Sequence, residues 1–189
     1  MKVEAPALAP LLRSNAQGDI LALVLLQPDQ EFSLADIGRA VDALPATVHR
    51  EVSRLVDATA LLDRSVGRAR LVRANPEYEL AAPLTDLVLL TYGPKALLPG
   101  ILRDVRGIEH AHIYGSWAAR YEGESGPPPR DVDVILIGSP SRAQMFDATR
   151  EAERVLRREV NLTRVSVSDW DARATPFIQT VRSRPLVEL

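Results

Sequence analysis

The sequence predicts an α+β chain in two parts, and three observations carry that prediction. Two short amphipathic segments, Leu34 to Val41 and Pro45 to Asp57, precede an arginine-rich alternating stretch from Leu61 to Arg73. The second half alternates short apolar runs with helical patterns, as a helix-covered sheet does. Between the halves lie two helix-like segments interrupted at Gly93-Pro94. The 189 residues suffice for one large domain or two small ones. The expected boundaries are 11–75, 76–106 and 107–189, the middle stretch being linking or dimerising helices.

Composition narrows the functional classes. Hydrophobic residues make up 46% and charged residues 25%, an ordinary globular balance. No apolar run approaches the roughly 18 residues of a membrane helix. Ile20 to Leu26 is too short to span, and no basic segment with a cleavage site precedes it. Neither a membrane partner nor a signal peptide is expected. Cysteine is absent, which excludes disulfides, thiolate zinc sites and cysteine nucleophiles and fits a cytoplasmic protein. The three histidines (His49, His110, His112) are too scattered for a zinc site. The net charge is -2, but it is unevenly spread. Leu44 to Asn75 holds six arginines (Arg50, Arg54, Arg64, Arg68, Arg70, Arg73) against Glu51, Asp57 and Asp63, so this window is +3 and the remainder -5. A local basic region on an acidic chain is a nucleic-acid pattern.

In the first part, Leu11 to Leu25 forms a dense apolar helix after a loose arm at residues 1 to 10, and Gln27-Pro28-Asp29 ends it. Ser33 is placed to cap the next helix, whose Leu34, Ile37 and Val41 share one face. Asp42 to Leu44 is the turn. Pro45 opens the following helix where a missing N–H is tolerated, and Val48, Val52, Leu55 and Val56 make its buried stripe. This is a helix-turn-helix unit. The outward residues of its second helix are Thr47, His49, Arg50, Ser53 and Arg54, a mixture suited to the major groove. Leu61 to Arg73 then reads as a hairpin turning at Gly67, with Arg64, Arg68 and Arg70 at or near its tip. A basic hairpin in this place is the wing, and duplex DNA is the expected partner. Over about Gly18 to Asn75 the segment resembles the winged helix of ArsR-like regulators. Their metal-sensing cysteines are missing, so metal sensing is not implied. Such regulators commonly dimerise on paired half-sites, and a homodimer is expected.

In the second part, His110 to Tyr114 reads as a strand ending at Gly115-Ser116, with a short helix to Tyr121 and a Gly/Pro loop from Gly123 to Pro129. Asp131 to Gly138 is a strong strand, Ser141 to Arg158 a helix, Val160 to Val167 a strand, and Asp169 to Ser183 a last helix. Asp131 and Asp133, two apart on a strand, point to one face. Paired carboxylates suit a hard cation such as Mg²⁺, which can bridge nucleotide phosphates. Gly115 permits close backbone approach, and the Ser116 hydroxyl can hold a phosphate.

Gly115-Ser116-Trp117-Ala118-Ala119-Arg120-Tyr121 followed by Asp131-Val132-Asp133 resembles the minimal nucleotidyltransferases of the DNA polymerase β-type superfamily, over about His110 to Val167. That resemblance implies a nucleotidyltransferase-fold α/β domain with a small mixed sheet. It implies Mg²⁺ on Asp131 and Asp133, and ATP or another NTP on Gly115 and Ser116, with Arg120 and Arg130 as added phosphate contacts or solvated surface. Active members carry a third carboxylate on a later strand. Asn161 falls at that place here and cannot take a proton; Glu159, two residues earlier on the same face, is the candidate substitute. Trp117 reads as core, with base stacking as the alternative, and His110 and His112 read as structural. Two functions follow. One is a DNA-binding transcription regulator with a Mg-nucleotide effector. The other is an active nucleotidyltransferase acting on a protein or small molecule, including the antitoxin role that such minimal enzymes play beside a cognate toxin.

Overall fold

The computed structural model describes residues 11–124 and 129–189. The expected N-terminal arm and part of the Gly/Pro loop lie outside the described residues. Ser14 caps α1 (Asn15–Leu25) by accepting a hydrogen bond from the Gln17 backbone N–H at 3.2 Å. Every residue from Ile20 to Leu26 is buried, so this helix is a core element rather than an amphipathic one. Ser33 and Asp36 form a reciprocal capping box at the start of α2 (Leu34–Val41). Asp42, in left-handed conformation at φ 49°, ends α2 and begins the turn into α3 (Pro45–Asp57).

A three-stranded antiparallel sheet completes this unit: β1 (Phe32–Ser33), β2 (Leu61–Val66) and β3 (Ala69–Ala74), in the order β1-β3-β2. Phe32 lies opposite Val72, and Leu61 opposite Ala74. Ile20, Val24, Ile37, Val48, Val52, Leu61 and Val72 are fully buried, joining helices and sheet in one core. Each such side chain contributes about 1.5–3 kcal/mol relative to exposure. The order helix, short strand, helix, helix, hairpin is the winged-helix arrangement. The sequence expectation holds for α2, α3 and the hairpin, while β1, only two residues long, was not expected.

The chain divides between Gly93 and Pro94. The segment 76–106 is therefore no joint of its own. α4 (Ala81–Tyr92) belongs to the first unit, where it packs on α1, and α5 (Pro94–Leu102) belongs to the second.

The second unit is built on a four-stranded mixed sheet, made of β4 (Ile108–Tyr114), β5 (Asp131–Gly138), β6 (Glu159–Val165) and β7 (Val187–Glu188), ordered β6-β5-β4-β7. β4 runs antiparallel to β5 and β7, and β5 runs parallel to β6. The parallel pair is joined through α7 (Arg142–Leu156), capped by Ser141, which packs on β6 and α5. α6 (Gly115–Tyr121) follows β4 directly. The expected last helix is two helices, α8 (Val167–Ala172) and α9 (Pro176–Arg182). Arg173 takes a left-handed conformation at φ 51°, and Thr175 caps a fresh start at Pro176, whose ring cannot continue the preceding turn. Ile178 and Val181 of α9 pack with Ile135 and Val165 on one face of the sheet. Among the described residues no helix is long and apolar enough to cross a membrane.

Gly138 ends β5 at φ +137°, and a Cβ there would stand 2.2 Å from the Gly107 carbonyl oxygen. Strain and a backbone clash coincide, so Gly138→Ala should cost about 3 kcal/mol or more. Both tryptophans, Trp117 and Trp170, lie in the second unit, so urea unfolding followed by their fluorescence reports that unit. An unchanged midpoint would refute the assignment.

Candidate functional site

Two surfaces carry the candidate residues, one in each unit. On α3 the buried stripe is Val48, Glu51, Val52 and Leu55, so Glu51 takes the place expected for Val56. His49 and Arg50 are exposed, and Thr47, Ser53 and Arg54 are partly so. The outward face is thus as the sequence predicts, but its support was missed. Glu51 is only 2% exposed, a rare state for a carboxylate. Its Oε1 accepts from Arg50 Nε at 3.3 Å and from Arg54 Nη1 at 3.4 Å. Its Oε2 is buried without a hydrogen-bond partner. Isolated burial of such a charge is costly, so the two guanidinium groups are what make its position tolerable. The signal was present in the sequence, since position 51 continues the three-and-four spacing of the stripe.

The hairpin arginines are unequally committed. Arg64 grips Glu31 with two bonds, at 2.9 and 2.5 Å, which hold the Glu31 carboxyl below its usual range. Arg70 donates to Asp63 at 2.6 Å and to Ser53 of α3 at 2.9 Å, tying the hairpin to the helix beside it. Arg68 stands exposed next to Gly67 at the hairpin turn.

In the second unit the register of the sheet assembles the motif. Tyr114 lies opposite Asp133 on one side, and Asn161 lies opposite Asp133 on the other. Glu159 is paired with Asp131 and is exposed. In a parallel pair, register partners share a face, so Asp131, Asp133, Asn161 and Glu159 all project from the same side. Asn161 Nδ2 donates to Asp133 Oδ1 at 3.3 Å and to Asp131 Oδ2 at 3.5 Å. Gly115, at φ +70°, abuts this pair, since a Cβ there would stand 3.0 Å from Asp133 Oδ2. The Gly-Ser and Asp-x-Asp motifs are therefore brought together. Among the described residues, no group of three or more His, Asp or Glu side chains is arranged around a cation position.

A groove of about 660 Å³ opens at Gly115, lined also by Ser116, Ala119, Glu122, Arg184 and Pro185. Arg184 was not anticipated; it follows α9 with no motif around it. Arg120 is turned to the loop, donating to the Glu124 carbonyl at 2.7 Å. Arg130 is exposed. Trp117 is fully buried, with the Arg158 guanidinium 4.9 Å above its ring, so it is core and does not stack on a base. Arg158 also donates to the Pro129 carbonyl just before β5. Burial lowers Arg158 to about 10 and raises the Tyr121 phenol to about 12. His110 and His112 stack on one another, with centroids 6.5 Å apart, and His112 stacks on Trp170 at 6.1 Å.

No known family description matches the sequence, and no curated protein matches it. Two solved structures are similar to the chain. One is Bordetella bronchiseptica BpsR, whose DNA binding is regulated by 6-hydroxynicotinic acid, at 24% identity over 40% of this chain and 61% of that one, with a TM-score of 0.31. The other is the zinc-responsive MarR family member ZitR of Lactococcus lactis, at 17% identity over 46% of this chain and 55% of that one, with a TM-score of 0.33. In each case the match spans less than two thirds of the other protein's length.

Burial raises the Asp133 carboxyl above its ordinary value of 3.8, and the nearby Asp131 charge adds to the rise while the Asn161 amide opposes it. A carboxyl raised on folding binds its proton more tightly in the folded chain. The stability it contributes is present below 3.8 and is lost as pH rises through the folded value. Asp133→Asn should therefore raise the thermal midpoint at neutral pH and lose that advantage as pH falls towards 3.8. A variant no more stable than the parent at neutral pH would contradict this sign.

Proposed function

We propose that the protein is a DNA-binding transcription regulator whose nucleotidyltransferase-like second unit binds a Mg-nucleotide as effector. The observation that carries the DNA half is the polar outward face of α3 beside the basic hairpin. Glu51 holds Arg50 by its Nε and Arg54 by one terminal nitrogen, yet 55% and 41% of these side chains stay exposed and the remaining guanidinium N–H groups are left to a partner. A guanidinium so placed can meet guanine bidentately or reach a phosphate, and Thr47, His49 and Ser53 lie on the same face. Arg68 at the hairpin tip is placed for a phosphate or the minor groove. Leu80, Leu87 and Leu90 are 56%, 49% and 65% exposed on or beside α4, which supports a homodimer reading paired half-sites.

The nucleotide half rests on the junction of Gly115-Ser116 with Asp131 and Asp133. Mg²⁺ characteristically uses one or two carboxylates and takes its other ligands from water and phosphate. The pair fits that demand, with Asp131 and Asp133 holding the ion. Such an ion would neutralise phosphate charge. Ser116 and Arg184, which both line the groove, would hold the phosphates of ATP or another NTP. Arg120 is committed to the loop beyond α6 and serves here by fixing that loop. A second reading, nucleotidyl transfer, is favoured by one observation, the register of exposed Glu159 with Asp131. Glu159 would then act as the base that Asn161 cannot be.

Two measurements test these halves. Against a duplex enriched from a random pool, Arg50→Ala and Arg54→Ala should each weaken binding about 5- to 150-fold, the range of a lost bidentate base contact. Arg68→Ala should instead lower the salt slope by about one. Unchanged affinity in both helix variants would remove α3 as the reading element. Calorimetry with ATP and GTP should show Mg²⁺-dependent binding that is lost in Asp131→Asn/Asp133→Asn. Label transfer from ATP that Glu159→Gln abolishes would establish the second reading.

A further inference from the structure

Resting on the nucleotide reading of this site, we propose that the Asn161 side-chain amide bars a free divalent cation from Asp131 and Asp133, so that the cation is admitted only together with a nucleotide. The amide nitrogen stands 3.3 Å from Asp133 Oδ1 and 3.5 Å from Asp131 Oδ2, reaching one oxygen of each carboxylate. Each of its two hydrogens engages one oxygen of a different carboxylate, and a cation bridging the pair through those oxygens must displace them. An amide nitrogen is no ligand for a hard cation. To coordinate through its carbonyl oxygen, Asn161 must turn its amide over and abandon both bonds.

The position is fixed by the backbone. Asn161 is the register partner of Asp133 in the parallel pair β5–β6, so the amide is held beside the carboxylates. On the other flank, Tyr114 is the register partner of Asp133. Gly115 lies against Asp133, where a Cβ would stand 3.0 Å from Asp133 Oδ2.

The consequence differs for free and complexed ions. A hydrated Mg²⁺ parts reluctantly with water and would gain only two carboxylates while displacing the amide. A nucleotide-bound ion arrives with part of its shell already made of phosphate oxygens. Its phosphates gain separate contacts along the groove at Ser116 and Arg184. Only the complex brings enough new interactions to displace the amide. Cation and nucleotide binding are then linked, and each is weak without the other.

The test is a titration of the full chain with Mn²⁺ alone, followed by the loss of the free-ion signal in electron paramagnetic resonance. Wild type, Asn161→Ala and Asn161→Asp are compared. Alanine removes the donor and adds no ligand, and should bind Mn²⁺ several-fold more tightly than wild type. Aspartate replaces the donor by a third carboxylate, and should gain at least about tenfold. Asn161→Val, a β-branched residue suited to the strand, is a second donor-free variant should alanine fail to fold. Equal Mn²⁺ affinity in wild type and the donor-free variant overturns the proposal, because the missing donor would then have excluded nothing. Wild type binding Mn²⁺ as tightly as Asn161→Asp overturns it as well. A parallel titration with Mg-ATP separates the two ideas. If no variant binds nucleotide while the Mn²⁺ series behaves as expected, the nucleotide reading falls and the exclusion by Asn161 stands.

Discussion

The burial of one strand governs the second unit. β5 is apolar and fully enclosed from Val134 to Ile137, hydrogen-bonded on both edges and covered on both faces. Such a strand cannot slip by one residue, because every side chain would change face. Its fixed register sets Tyr114 and Asn161 on either side of Asp133, and Glu159 beside Asp131. At the start of the strand Val132 stays buried, but the face bearing Asp131 and Asp133 is only partly enclosed, and there alone the strand carries charge. Asp131 and Asp133 thus occupy the one stretch of β5 where a carboxylate is affordable and still held by a rigid neighbour.

The first unit handles charge in the opposite way. Between Leu44 and Asn75 six arginines face three acids, yet four of the six are engaged. Glu31 takes Arg64, Asp63 takes Arg70, and Glu51 lies beneath Arg50 and Arg54. The exposed pairs Arg64–Glu31 and Arg70–Asp63 contribute little to stability. Their larger effect is on orientation. Arg70 links the hairpin to α3 through Ser53, and Arg64 links it to the segment before β1. A basic count read from sequence therefore overstates the cationic surface and understates how firmly the hairpin is set.

Much of this architecture was legible in the sequence where local chemistry decides the outcome. Ser33 and Asp36 announce α2, Pro45 announces α3, Gly67 announces the hairpin turn, and the apolar run after Asp133 announces β5. The failures lie where the decision is made at a distance. β1 and β7 are strands only because β3 and β4 lend them partners, and two residues show no periodicity of their own. Arg184 meets the Gly115 groove through the path of the chain after α9, which no local pattern encodes. The break between α8 and α9 is different in kind. Thr175-Pro176 is a clear helix start that the continuing pattern of polar and apolar residues obscured.

Glu51 has a bearing on recognition that goes beyond stability. A solvated arginine samples many rotamers, and fixing it at an interface costs about 0.5–1.5 kcal/mol per side chain in conformational entropy. A carboxylate sealed into the core and reaching only outward restrains Arg50 and Arg54 before any partner arrives. Much of that ordering is then complete in the free protein, carried by the folding of the first unit. A surface stiffened in this way discriminates by fit, because side chains that cannot roam cannot adapt to the wrong partner. On the reading proposed for α3, selectivity among sequences would be written partly into the helix's hidden side.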